Sequence, residues 1–159
     1  MHLLHRQCVI NVKFIMKASM EIMIAVLLMA TTGHAIAELY IEDGHVRELI
    51  PGATSTAAYM TMRNTGSEPL LLKTVTSPAA NRITLHNTMN HNGLLHMMGM
   101  DTLIIPAAGA VVLQEGAIHM MLEAPVQALR AGDAVELMLH FDNGTTQTVS
   151  LPVRSVLEP

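Results

Sequence analysis

Val135-Glu136-Leu137-Met138-Leu139-His140-Phe141 sets Val135, Leu137, Leu139 and Phe141 on one face and Glu136, Met138 and His140 on the other. That period of two belongs to a strand with one side in a core. Asp142-Asn143-Gly144 follows at once and supplies the positive-φ turn that a tight hairpin needs, so residues 145–154 form the returning strand. Asn143-Gly144-Thr145 also fits a glycosylation sequon, but the turn already accounts for those residues.

Working back from this hairpin, Gly, Pro and Asn punctuate the chain every ten or so residues, with short β-branched or alternating runs between. The runs 38–42, 57–63, 70–76, 82–86, 95–105, 110–114, 117–123, 135–141 and 145–154 read as strands of one sandwich or barrel. No stretch keeps a long helical period, although Pro125 to Arg130 allows one short helical turn before Ala131-Gly132-Asp133. The expectation is a single all-β domain over residues 38–159, a length sufficient for one two-layer core.

Residues 1–37 read as an address. Arg6, Lys13 and Lys17 make a positive n-region, Ile22 to Ala30 an apolar h-region, and Ala35-Ile36-Ala37 a small-x-small cleavage pattern before Glu38. Nine apolar residues span about 13 Å as a helix against roughly 30 Å of hydrocarbon, so a secretory signal is expected and a membrane span is not. Cys8 precedes the h-region and is not placed as a lipoprotein acceptor; cleavage removes the one cysteine of the chain together with five of its 14 methionines. What remains carries six basic and twelve acidic residues. That balance gives no reason to bind nucleic acid. An exported periplasmic protein follows, with no membrane insertion after cleavage.

Soft and borderline donors crowd residues 86–121: His86, His91, His96 and His119 with Met89, Met97, Met98, Met100, Met120 and Met121. Within them the spacing His86-x10-Met97-x21-His119-x-Met121 stands out, a pattern expected about 0.004 times by chance in a chain of this composition. His119 and Met121 lie two apart in a strand and leave the same face, while Met120 points inward. His86 ends one run and Met97 opens the run after the next loop, so a hairpin brings them over one sheet edge. Thioether sulfur is neutral and soft and selects Cu(I) over zinc, calcium or magnesium. Without a thiolate the mature chain cannot build a blue-copper electron carrier. Elsewhere, His45 and His140 read as exposed or hydrogen-bonded structural residues, and Met60, Met62 and Met138 as packing within or beside the core. His91, His96, Met89, Met98 and Met100 are candidates for an auxiliary site that could take Cu(II) through imidazole.

At these residues the chain resembles the periplasmic copper chaperone family PCu(A)C, whose signature is His-x10-Met-x21-His-x-Met. The likeness extends over residues 38–154: Thr56-Ala57-Ala58-Tyr59-Met60 with Asn64-Thr65-Gly66, Arg82 to His86, and Gly132-Asp133 with the C-terminal hairpin. Leu95, His96 and Glu115-Gly116-Ala117 depart from the family's usual residues but leave the four donors intact. The resemblance implies a cupredoxin-like Greek-key sandwich or barrel that binds Cu(I) near its surface. It further implies a monomer that delivers copper to the CuA subunit of cytochrome c oxidase or to an assembly factor.

The expected mechanism is ligand exchange, with proton competition at imidazole weakening binding in acid. Periplasmic copper buffering and a metal-free interaction module are the other readings. An enzyme has the least support, since no nucleophile, base and orienting acid can be assembled from the sequence.

Overall fold

The computed structural model describes residues 39–91 and 93–155, all within the compact unit Ile36–Pro159. The expected signal at 1–37 lies outside them. Ten strands follow in chain order: β1 (Leu39–Arg47), β2 (Ser55–Asn64), β3 (Leu70–Thr76), β4 (Ala80–His91), β5 (Leu94–Met100), β6 (Leu103–Ile105), β7 (Gly109–Leu113), β8 (Ile118–Pro125), β9 (Ala134–Phe141) and β10 (Thr146–Arg154). The all-β expectation holds. The helical turn allowed at 125–130 does not form: Pro125 closes β8, and the segment after it bends without helical bonding.

Hydrogen bonds link the strands in the order β5-β4-β8-β2-β1-β10-β9-β3-β6, with β7 also on β2. The path is open, and its two halves share one core in a cupredoxin-like arrangement. The halves meet where β1 runs parallel to β10, with Val46 opposite Val153. β2 is divided between two partners: Ser55–Ala58 pairs with β8 and Met60–Asn64 with β7.

Alternation explains the core. Ala58, Met60, Met62 and Asn64 of β2 are buried, as are Met120 and Leu122 of β8, and Val135, Leu137, Leu139 and Phe141 of β9. The β9–β10 turn forms as its sequence requires, with Gly144 at φ 80° and the Asn143 carboxamide oxygen accepting from Thr145 N at 3.0 Å. Asn64 is buried because it serves a turn: its carboxamide donates to the carbonyls of Glu68 (2.7 Å) and Ile105 (3.3 Å) and accepts from Gly66 N (2.9 Å).

Three strand limits differ from expectation. β1 runs on through Asp43-Gly44 by way of a bulge, with Asp43 at φ 52°. Gly44 is required there, since a Cβ would fall 2.5 Å from Leu151. The run 95–105 divides at Asp101-Thr102 into β5 and β6. β4 does not stop at His86 but continues to His91, so β4 and β5 form a ribbon reaching past the core.

Candidate metal centre

The four donors come from three adjacent strands. β4 lies between β5 and β8, and the register sets His86 directly opposite His119 on β8 and Gly99 on β5. Directly paired residues share a face of a sheet. Met97 faces Thr88, two residues beyond His86 and on its side of the ribbon. Met121 faces Thr84 on β4 and Ala57 on β2, two residues beyond His119 and on its side. All four donors therefore leave the outer face, whereas Met120 is wholly buried in the core.

The two imidazole rings lie nearly parallel, 20° apart, with centroids separated by 5.8 Å. Met97, His119 and Met121 line a cavity of about 290 Å³, whose wall includes Tyr59 and, from the β1–β2 connection, Ile50 and Ala53. His119 is buried, Met121 half-buried and Met97 53 % exposed, so the group grades from protein interior to open edge.

Hydrogen bonds fix which ring nitrogen each histidine presents. His119 Nδ1 lies 3.0 Å from the Ala117 carbonyl oxygen. A carbonyl only accepts, so Nδ1 carries the proton and Nε2 keeps its lone pair. His86 is set by a longer relay. The Thr84 hydroxyl donates its one proton to Glu123 Oε1 at 2.7 Å, so its oxygen must accept the bond from His86 Nε2 at 2.9 Å. The proton then sits on Nε2 and leaves Nδ1 bare. That Nδ1 is buried without a hydrogen-bond partner, as suits a nitrogen reserved for a metal. Glu123 is anchored by Arg82 Nε at 3.0 Å. The Thr84 hydroxyl, followed by the Arg82 guanidinium, holds the Glu123 carboxyl below its ordinary range.

Thr84, Glu123, Arg82 and the Ala117 carbonyl were not singled out in the sequence, although a signal exists. Arg82, Thr84 and His86 alternate along one strand, and His119, Met121 and Glu123 along the next. The other histidines behave as structural residues: His140 is bonded to the hydroxyls of Thr76 (2.9 Å) and Thr146 (3.0 Å). His45 reaches the Asp43 carbonyl at 3.3 Å and packs against Tyr59. Met60 and Met62 are core residues and Met138 is half-buried beside them. Of the auxiliary candidates, Met100 is half-buried and packs against the core. The side chain of His91 lies outside what the structure describes.

A family model described as "Putative lipoprotein LpqE-like" matches residues 39–153. The "Putative lipoprotein Lxx21020" of Leifsonia xyli subsp. xyli is 35 % identical over 104 residues, covering 65 % of this chain and 63 % of that protein. RP573 of Rickettsia prowazekii is 30 % identical over 101 residues, covering 63 % of this chain and 56 % of that one. The chain thus spans less than two thirds of the length of either relative. Among solved structures, Cu(I)-bound DR1885 from Deinococcus radiodurans is 30 % identical with a TM-score of 0.63, over 82 % of this chain and 88 % of that one. The copper-bound PCuAC domain from PmoF2 has a TM-score of 0.64 at 22 % identity, over 77 % and 97 %. The chain belongs to the LpqE-like family and has the fold of the PCuAC domains.

Proposed function

We propose that the protein carries Cu(I) as cargo, held by His86 Nδ1, His119 Nε2 and the thioethers of Met97 and Met121, and passes it on by ligand exchange. The observation that carries this reading is the bare, buried Nδ1 of His86 beside the equally bare Nε2 of His119. Two neutral imidazoles and two neutral thioethers on one face suit a soft monovalent ion better than a divalent one. The copper-bound state of DR1885 and of the PmoF2 domain, which share this fold, supports the same ion.

Exchange follows from the gradation of exposure. Met97 is the accessible donor, so an acceptor displaces it first and the buried histidine last. Thiolates on the acceptor hold Cu(I) more strongly than thioethers and give the transfer its direction. The acceptor in this proposal is the CuA subunit of cytochrome c oxidase or a factor that assembles it, met in the periplasm after residues 1–37 have been removed. The lipoprotein descriptions of the family and of its Leifsonia member support export.

The test is a Cu(I) titration of the full chain against a chromogenic chelator, with X-ray absorption on the loaded protein. The expected result is a mixed nitrogen and sulfur shell, and at least a tenfold loss of affinity (about 1.4 kcal/mol) in His119→Ala and in Met121→Ala. Parent-like affinity in both variants overturns the site. Transfer to a purified CuA subunit then tests the destination.

A further inference from the structure

The tripeptide His-Met-Met occurs twice, at His96-Met97-Met98 and at His119-Met120-Met121. In β8 its outer residues, His119 and Met121, face the proposed copper site, and its middle residue, Met120, is buried in the core. In β5 the phase is reversed: the middle residue, Met97, takes the copper-site face, while His96 and Met98 share the other side of the ribbon. Across the ladder Met89 stands directly opposite His96, and Met98 is opposite Asn87, one position diagonal from Met89. Directly paired residues have Cβ atoms about 5 Å apart and diagonal ones about 7–8 Å, within reach of two long thioethers and an imidazole.

Nothing covers these three side chains. Near its base this face of the ribbon belongs to the core, where Leu85 is buried and its partner Met100 half-buried. Farther out the ribbon overhangs, leaving Met89 47 % and Met98 54 % exposed and His96 exposed as well. Among the described residues no hydrogen bond engages the His96 ring, unlike those of His45, His86, His119 and His140.

We infer that Met89, His96 and Met98 form a second soft-metal site, on the face of the β4–β5 ribbon opposite the first, that takes Cu(I). Two thioethers and one imidazole make a neutral three-donor set suited to a monovalent soft cation. A Cu(II) site built on imidazole would need more nitrogen than the one ring described on this face. Because all three donors are exposed, the second ion is held more weakly than the first and exchanges faster. The inference does not require the first site to bind copper, since the two share no donor.

Chelator-competed Cu(I) titration of the full chain tests it, run on the parent, on Met89→Leu/Met98→Leu and on His119→Ala/Met121→Ala. Leucine keeps the volume and apolar character of methionine but supplies no sulfur. The expected result is two Cu(I) per parent chain, with loss of only the weaker equivalent in the leucine variant and of only the tighter one in the other. The inference is overturned if the parent stops at one equivalent, or if the leucine variant keeps two. Survival of the tight equivalent in His119→Ala/Met121→Ala sinks the first site and leaves the second standing. Proper folding of each variant is checked by circular dichroism, and His96→Gln provides a second loss of the weak equivalent through a surface change.

Discussion

Thr84 has one proton to give, and giving it to Glu123 decides the chemistry of His86 two residues away. A hydroxyl committed in that way can only accept from Nε2, so the lone pair left for a metal is the buried one on Nδ1. Removing the hydroxyl in Thr84→Val frees the ring to exchange tautomers and to rotate. The expected effect is a 10- to 100-fold loss of Cu(I) affinity, the usual range for losing a group that orients a ligand. Thr84→Ser should restore it, and chelator competition reads both. The four donors were legible in the sequence because their identity and spacing are themselves the pattern. The relay was only half legible: period two puts Arg82, Thr84 and His86 on one face, but which atom donates depends on Glu123 arriving from another strand.

The β4–β5 ribbon owes its length to its turn. Gly93 sits at φ 84°, and a Cβ there meets nothing within 4 Å, so a larger residue is opposed by the backbone rather than by crowding. Gly93→Val should therefore weaken the hairpin by about 1–2 kcal/mol, the cost of a left-handed conformation for an L-residue. Copper affinity falls with it, because β5 carries Met97. Gly93→Asn, which tolerates that conformation, should stay close to the parent. Thermal unfolding and Cu(I) competition on the same samples separate the two effects. The sequence reading ended this strand at His86 and treated what followed as a loop, although Asn92-Gly93 is a recognised hairpin signal. Polar Asn87, Thr88 and Asn90 conceal the ladder, since a ribbon reaching past the core buries little and shows no hydrophobic alternation. At Asp43-Gly44 the reason is different: a bulge breaks the period of two, so the continuing strand looks like two pieces.

Stability and cargo binding draw on separate parts of the whole molecule. Leu137 is fully buried on β9, a strand that contributes none of the proposed donors. Leu137→Ala should lower stability by about 2–5 kcal/mol, as for other buried leucines. The Cu(I) affinity of the protein that remains folded should not change, which differential scanning calorimetry paired with titration below the transition checks. The fold class and most strands were legible because alternation is local. The strand order was not: the parallel pairing of Val46 with Val153 joins residues over a hundred positions apart, and nothing in either segment names the other. The donors divided among β4, β5 and β8 have a consequence for the life of the protein in the cell. An ion bridging three strands ties the overhanging ribbon to the sheet, and binding to the folded state alone adds about 4 kcal/mol when free ion is a thousandfold above its dissociation constant. Empty carrier opens to proteases at the ribbon more often than loaded carrier does, so copper supply sets how long each molecule survives.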